Sequence, residues 1–258
     1  MHVATAVVYE QPLNERIRSF LRIEQLMQRF DYYVNGTTVW DTHAALSTLL
    51  ELLDLSSRGD LKRELMKELE RQLANLSRID GRPGIDDGLL RNTTERHRRL
   101  VRSIHEMGGQ MGGHLRANDF LNGIKQRTSI PGGTCDFDLP AYHHWLSKPA
   151  EERHAILTEW TEPMTRVREA VETILNLIRG SSSSDPVVAK RGYYEQTLGR
   201  DQPYQMIRIS LTGHPDIFPE ISAGKHRFTV RFRLREKLDV RASQTSDDIA
   251  FELYCCAL

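Results

Sequence analysis

The chain has 258 residues, 39% of them hydrophobic, which is enough apolar material for one large domain or two modest ones. Its 35 basic residues equal its 35 acidic residues, and this balance excludes a globally basic nucleic-acid-binding protein. Because no run of about 18 apolar residues occurs and the first ten residues lack a secretory signal, we expect a cytoplasmic protein that does not enter a membrane.

The N-terminal half predicts a strand followed by helices. The first ten residues are rich in β-branched side chains, which favours a short strand before Pro12, and Asn14 is placed to cap a helix. Further helices are predicted to begin at Asp41 or Thr42, at Asp60, within the charged segment 93–107 and near Asn118.

Two apolar stripes have the spacing of long amphipathic helices. One runs from Leu61 to Leu76 and the other from Ile156 to Ile178, each in steps of three and four residues. Pro163 interrupts the second stripe, so we expect one helix to end near Thr161 and another to begin at the proline. Each stripe is a candidate dimer interface, although the pattern favours burial in a helical core.

The rest of the chain predicts β structure. Alternation of Cys135, Phe137 and Leu139 with aspartates predicts a short strand with Cys135 buried and inert, and the glycine-serine segment 180–186 predicts a linker. Beyond it, three segments alternate apolar and polar side chains: 207–211, 227–235 and 249–255. We therefore predict an α+β fold, with a mainly helical domain (13–131 and 141–180) and a smaller antiparallel β domain that includes the N-terminal strand (1–12, 132–140 and 187–258).

Three cysteines in a chain of this length do not make a disulfide framework, which fits a reducing compartment. The closing residues, Cys255-Cys256-Ala257-Leu258, match a prenylation pattern. No polybasic run precedes them, and the alternation of Ile249, Phe251 and Leu253 with polar residues favours a buried last strand instead.

The strongest charge feature is the strand around Phe232. Because side chains alternate across a strand, Arg227, Arg231, Arg233 and Arg235 share one face. Residues 225–241 hold seven basic side chains against two acidic ones. The face is either a solvated outer surface that protects an edge strand, or a docking surface for an acidic partner.

Motifs for catalysis or cofactor binding are weak. Cys135, Asp136, Asp138 and His143 have poor spacing for a metal site, and no dinucleotide fingerprint, phosphate loop or serine-hydrolase elbow occurs. We predict no enzyme activity, no cofactor and no metal. A nucleic-acid-binding or general adaptor protein that uses the basic strand face, with helix 91–102 as a second phosphate-facing surface, is the alternative function; the neutral total charge argues against it.

Several segments of the chain together match one known protein family. The opening match is Tyr9-Glu10-Gln11-Pro12-Leu13-Asn14-Glu15-Arg16, and the central one is Ser129-Ile130-Pro131-Gly132-Gly133 followed by Cys135-Asp136-Phe137-Asp138-Leu139-Pro140. Further matches include Arg58-Gly59-Asp60, Pro219-Glu220-Ile221-Ser222, Arg227-Phe228 with Arg231-Phe232, and Phe251-Glu252-Leu253. The matches keep their order over nearly the whole chain, and together they resemble the ZapD (YacF) family of FtsZ-associated cell division proteins.

The resemblance implies a non-enzymatic homodimer that binds the C-terminal tail of FtsZ and bundles its protofilaments at the midcell division ring. The resemblance further implies a positively charged pocket that receives the tail, and Arg58 and Arg227 match the residues of that pocket best. The strand pattern adds Lys225, Arg231 and Arg233. Asp119 stands where a relative can carry a basic residue, so either Arg116 supplies that charge or the pocket differs from that of the relative. The segment from Arg241 to Asp248 differs from its relatives.

Overall fold

The computed structural model describes residues 5–57, 60–81, 84, 86–108, 112–199, 201–224 and 226–258. The chain divides into two compact units. The helical unit comprises Ser19–Ile174, and the β unit comprises Met1–Arg18 with Leu175–Leu258. The predicted α+β class is confirmed, since helices dominate one unit and antiparallel strands the other.

Helices occupy most of the chain before residue 180. They are α1 (Glu15–Val34), α2 (Val39–Ser57), α3 (Leu61–Ile79), α4 (Asp87–Glu106), α5 (Gly113–Arg116), α6 (Asp119–Thr128), α7 (Pro140–Leu146), α8 (Ala150–Thr161) and α9 (Thr165–Arg179). A 3-10 turn at Glu162–Met164 separates α8 from α9. The expected break around Pro163 is therefore confirmed, and the second helix begins two residues beyond the proline.

Side-chain caps fix several helix starts at the expected positions. The carboxamide of Asn14 accepts from Ile17 N at 3.0 Å, and the Asp60 carboxylate accepts from Arg63 N at 3.0 Å. Asn118 caps α6 in the same way, accepting from Leu121 N at 3.1 Å. Each cap satisfies a backbone N–H that the first helical turn leaves unpaired.

Two helices begin earlier than the apolar periodicity indicates, because polar caps precede the apolar positions. At α2 the caps are reciprocal: Asp41 N donates to Thr38 Oγ1, and Thr38 N donates to Asp41 Oδ2, each at 3.1 Å. At α4 the Asp86 carboxylate accepts from Leu89 N at 2.9 Å, so the helix starts at Asp87 rather than near residue 93.

The two apolar stripes are largely buried within the chain. The fully or almost fully buried members are Leu65, Leu69 and Leu76 of α3 and Val167, Val171, Ile174 and Ile178 of α9. These side chains already have apolar neighbours in a single copy of the protein. The stripes therefore act as core packing, the alternative that the pattern favours.

The strand expected at Cys135–Leu139 is wrong, because this segment forms turns. Cys135 N donates to Gly132 O at 3.2 Å and Leu139 N donates to Cys135 O at 2.9 Å, so the backbone groups pair locally. Phe137 is 81% exposed. Cys135 is also exposed, so the prediction that Cys135 is buried is wrong. Alternation over five residues without a partner strand does not make a strand when turn-forming residues flank it.

In the part of the chain that the structure describes, the β unit contains two antiparallel sheets. The strands are β1 (Val7–Pro12), β2 (Asp185–Ala189), β3 (Tyr193–Thr197), β4 (Tyr204–Leu211), β5 (Ile217–Ala223), β6 (Arg227–Leu234), β7 (Ser243–Gln244) and β8 (Ile249–Ala257). One sheet has the order β1-β4-β8-β2, and the other has the order β3-β6-β5 with β7 also paired to β6. The N-terminal strand thus belongs to the β unit as predicted, whereas β2 begins inside the expected linker 180–186.

The two sheets share one hydrophobic core. Its fully buried side chains include Ile207, Ile209 and Leu253 from the first sheet and Phe228, Val230 and Phe232 from the second. The ring centroids of Phe232 and Phe251 lie 5.0 Å apart across the core. Alternate residues of each strand enter this core, so the intervening residues of β6 lie on the opposite, outer surface.

A two-residue turn carries the chain from the first sheet to the second. Tyr193 N donates to Lys190 O at 3.0 Å, and the central residues Arg191 and Gly192 have φ values of 49° and 70°. Two consecutive positive φ angles are typical of a type I′ turn. A side chain at Gly192 would also lie 2.7 Å from Thr245 O, so only glycine fits this position.

Candidate functional site

The outer surface of β6 carries the predicted arginines. Phe228, Val230 and Phe232 are completely buried, whereas Arg227 and Arg231 are exposed on the other face. We call the outward side of this strand, with its neighbours on β3 and β5, the basic face. The core anchors the strand on its inner side, so the arginines project from a fixed backbone.

Arg227 and Arg231 are the most available cations of the basic face. The side chain of Arg227 is 69% exposed, and its Nη1 lies 3.4 Å from Oε1 of Glu195 on β3. Exposed pairs of this kind contribute little to stability and can exchange partners. Arg231 has no carboxylate within 4.0 Å among the described residues, and its guanidinium carbon lies 5.9 Å from the ring centroid of Tyr193.

Arg233 lies on the same face but is engaged by the protein itself. Its side chain is only 21% exposed, with Nε 3.5 Å from Oε2 of Glu220 on β5. Its Nη2 donates to Ala242 O at 2.8 Å and so ties the segment after β6 to the strand. Arg233 therefore stabilises the local structure, in contrast to Arg227 and Arg231.

Strand register brings further side chains to the basic face. Tyr193 and Glu220 lie opposite Arg231 on β3 and β5 respectively, and Phe218 lies opposite Arg233. The guanidinium of Arg235, just beyond β6, lies 5.6 Å from the centroid of the Phe218 ring. The aromatic faces attract the guanidinium groups and hold them in place without neutralising them.

Sequence reasoning missed these neighbours because it did not predict β3 and β5. β3 is short and polar, and β5 contains Pro219, which is tolerated here because β5 is an edge strand. The alternating pattern Tyr193-Tyr194-Glu195-Gln196-Thr197 was the available signal for β3. No local pattern indicates the register that pairs Tyr193 with Arg231.

The remaining predicted site residues are Arg58, Lys225 and Arg116. Arg58 and Lys225 fall outside the described residues. Arg116 belongs to the helical unit, at the end of α5, where its Nη2 donates to Leu53 O at 3.2 Å. Its Nη1 is buried and has no hydrogen-bond partner among the described atoms.

The second arginine-rich surface, on α4, is partly paired with acidic side chains. Arg96 Nε lies 3.5 Å from Oε1 of Glu169, and Arg102 Nη2 lies 3.4 Å from Oε1 of Glu95. Arg98 is exposed on the same helix. Local acidic partners reduce the attraction of this helix for phosphate, so the surface gives the nucleic-acid alternative little support.

One residue of the metal site considered near Cys135 forms an ion pair instead. Asp138 Oδ1 forms an ion pair with Arg127 Nη1 at 3.2 Å. Within the part of the chain that the structure describes, no three His, Cys, Asp or Glu side chains are grouped to hold a metal ion. The described helices also include none that is long and apolar enough to cross a membrane.

The sequence is similar to known cell division proteins. The family model described as "ZapD: Cell division protein" matches residues 21–231. The Cell division protein ZapD of Nitrosomonas eutropha is 37% identical over 252 residues, covering 98% of this chain and 100% of that protein. The Cell division protein ZapD of Aromatoleum aromaticum is 38% identical over 258 residues, covering 100% of both chains.

Proposed function

The chain belongs to the ZapD family of cell division proteins, and we propose that it binds the C-terminal tail of FtsZ through its basic face. The observation that carries this proposal is the availability of Arg227 and Arg231. Both are exposed on a strand whose other side buries Phe228, Val230 and Phe232 in the core, and Arg231 has no carboxylate within 4.0 Å among the described residues. These features suit the capture of an acidic peptide.

The physical basis of binding is charge-assisted hydrogen bonding combined with aromatic contact. A guanidinium group donates two parallel hydrogen bonds to one carboxylate, and such bonds are stronger than neutral ones. Tyr193 adds an exposed aromatic surface beside Arg231 for an apolar tail residue. Lys225 remains part of the proposed basic pocket on the strength of the strand pattern, and Arg58 and Arg116 remain predictions of further tail-binding residues on the strength of the resemblance.

Bundling requires more than one tail-binding site in an assembly. We therefore include homodimer formation in the proposal: each protomer holds one tail, and two tails on one dimer belong to different protofilaments. Because a filament presents many tails, weak single contacts add up through effective concentration. In this role the protein is a non-enzymatic cross-linker in the cytoplasm that stabilises the Z-ring at midcell.

The test is sedimentation of FtsZ filaments with the purified protein, in parallel with FtsZ that lacks its C-terminal tail. The protein should pellet with full-length filaments only. Arg227→Glu and Arg231→Glu should abolish pelleting, whereas Arg98→Glu makes the same change in net charge on α4 and should not. Pelleting with tail-less filaments, or equal loss in all three variants, would contradict the proposal.

Two further measurements test cross-linking and the identity of the partner separately. A monomer by light scattering at the working concentration would eliminate cross-linking while leaving tail binding intact. A peptide that copies the FtsZ tail should compete with filaments for the protein, whereas DNA should not. Competition by DNA would instead support the nucleic-acid alternative.

A further inference from the structure

The segment that follows β6 encloses a small hollow at one end of the basic face. Its volume is about 320 Å³. The lining side chains that concern its chemistry are Leu234, Arg235, Glu236, Lys237, Val240 and Arg241. We call this hollow the loop hollow.

The backbone around the loop hollow is tied down at both ends. Arg235 N donates to Asp216 O at 2.9 Å, which anchors the start of the loop to the residue just before β5. At the other end, Arg233 Nη2 donates to Ala242 O, and β7 pairs with Arg233 and Leu234 of β6. The hollow is therefore formed before any partner arrives, which lowers the entropic cost of binding.

The charge of the loop hollow is positive and largely unneutralised. Among the described residues, no carboxylate lies within 4.0 Å of the side-chain nitrogens of Arg235, Lys237 or Arg241. Glu236 is the acidic residue of the lining, and Leu234 and Val240 supply an apolar surface between the cations. This combination suits an apolar side chain that is flanked by carboxylates.

The loop hollow also continues the basic face along the strand. Arg227 and Arg235 are eight residues apart, and a strand advances about 3.3 Å per residue, so the two positions are roughly 26 Å apart. An extended acidic peptide of about eight residues would span this distance. Such a peptide would place one end against Arg227 and the other at the loop hollow.

We propose that the loop hollow is the anchor of the basic face, where it takes an apolar side chain and its neighbouring carboxylates from the acidic peptide that the face binds. This inference rests on the proposed function. It adds a specific requirement: the partner peptide needs an apolar residue at the anchoring position, and charge alone does not give full affinity. An anchor also fixes the register of an extended peptide, which charge pairs along a strand do not fix by themselves.

Two positions of the same loop provide a matched test. Val240 lines the hollow, whereas Leu238 is 89% exposed and is not among the lining residues. Val240→Asp and Leu238→Asp make the same change in charge two residues apart. A fluorescein-labelled peptide copying the FtsZ tail would be titrated with each variant, with the parent protein and with Arg227→Glu. Circular dichroism and thermal unfolding would check that each variant is folded.

If the hollow is the anchor, Val240→Asp should weaken peptide binding about tenfold, because a carboxylate on the lining repels the acidic peptide and removes its apolar contact with Val240, which is itself 57% exposed. Leu238→Asp should change the dissociation constant less than about twofold, as expected of a solvent-screened charge. Replacing the apolar residues of the peptide with serine should cause a loss similar to that of Val240→Asp, and the two losses should not add.

Each outcome separates the anchor from the proposed function. Equal effects of the two aspartate variants would overturn the anchor, since a general electrostatic field predicts them. Loss of binding in Arg227→Glu with no effect of Val240→Asp would also overturn the anchor but leave tail binding by the basic face. If neither Val240→Asp nor Arg227→Glu changes peptide binding, both the anchor and tail binding by the basic face are overturned. Weakening by Val240→Asp alone would support the hollow and contradict the role of Arg227.

Discussion

Glu10 of β1 and Arg179 at the end of α9 form a bidentate ion pair in the β unit, with Nε to Oε1 at 2.8 Å and Nη2 to Oε2 at 2.9 Å. Arg208 Nε also lies 2.9 Å from Oε1 of Glu10. The three side chains are about four-fifths buried. A single carboxylate thus offsets two largely desolvated guanidinium groups, which makes it hard to replace.

We expect Glu10→Gln to destabilise the protein by about 2 kcal/mol, because it leaves two mostly buried cations without a counter-charge. Chemical denaturation measures this difference. The exposed pair between Glu15 and Arg18 is the matched control, and Glu15→Gln should cost less than about 0.5 kcal/mol. Similar costs at the two positions would mean that the burial of Glu10 does not matter.

We expect the stability of the protein to depend on pH through Glu10. Burial raises the pKa of Glu10, but the hydrogen bonds and positive charges of Arg179 and Arg208 outweigh it and the pKa is lowered overall. Because the pKa of Glu10 is lower in the folded than in the unfolded protein, the ionised carboxylate stabilises the fold at pH values above its unfolded-state pKa. This stabilisation is lost as the pH falls through its folded-state pKa. Below about pH 4, stability should fall more steeply in the parent protein than in Glu10→Gln. Parallel curves would contradict this.

Arg153 is a buried cation held by neutral oxygens. Its guanidinium donates to Thr42 Oγ1 at 3.0 Å, to Thr37 O at 2.9 Å, and to the carbonyls of Leu146 and Lys148. Arg153→Met should cost about 3 kcal/mol in thermal or chemical unfolding, because several oxygens lose their donors. Arg153→Lys should not restore stability, since an ammonium lacks the planar fork of donors. Exposed Arg98→Met is the control and should be nearly neutral.

His97 joins three helices of the helical unit through polar contacts. Its Nε2 lies 2.8 Å from Gln72 Oε1, and the Gln72 amide nitrogen donates to Glu68 at 3.1 Å and to Ile174 O at 3.2 Å. All three side chains are fully buried. His97→Leu should therefore cost about 2 kcal/mol, because it leaves Gln72 without its buried partner.

A double-mutant cycle checks the coupling between His97 and Gln72. When both His97 and Gln72 are replaced by leucine, the Gln72 amide oxygen is no longer present to be buried without a hydrogen-bond donor. The double variant should therefore lose less stability than the sum of the two single variants. Denaturant titration of the four proteins measures the difference. Strict additivity would show that the contact carries no energy of its own.

Arg231 and Arg233 should behave differently although they lie two residues apart on one face. Arg231→Glu should remove tail binding and leave the melting temperature unchanged, because Arg231 is exposed and unpaired with any described carboxylate. Arg233→Glu should lower the melting temperature by several degrees, because it breaks the hydrogen bond to Ala242 and the pair with Glu220. Differential scanning fluorimetry and peptide titration compare the two, and identical behaviour would refute the distinction.

The cysteines should differ in reactivity. Cys135 is exposed, whereas burial and the nearby Asp185 carboxylate raise the pKa of Cys255 to about 11, and burial raises that of Cys256 to about 11. Only the thiolate is nucleophilic, so iodoacetamide at pH 8 should modify Cys135 first and the other two after unfolding. Peptide mass spectrometry distinguishes the sites. Equal rates in the folded protein would contradict the burial of Cys255 and Cys256.

Local patterns were sufficient to locate most of the longer helices, though not every helix start, and to predict the arginines of the basic face. Caps at Asn14, Asp60 and Asn118 lie where the sequence predicts them, because a cap bonds to backbone groups two or three residues away. Alternation along β6 likewise placed its arginines opposite its phenylalanines. Both patterns depend on neighbours in the sequence, so the sequence alone determined them.

Contacts between distant segments were decided only by the tertiary structure. Strand register places Tyr193 and Glu220 opposite Arg231, and Arg233 is held against the protein by the Ala242 carbonyl. Cys135 shows the converse case, in which alternation without a partner strand gave a turn. Hydrogen bonds of a sheet join residues far apart in the chain, and one residue of slippage reverses every side chain. The spacing of residues along one strand does not determine its register with another strand. For this reason only the folded structure distinguishes Arg231, which is available to a partner, from Arg233, which stabilises the protein itself.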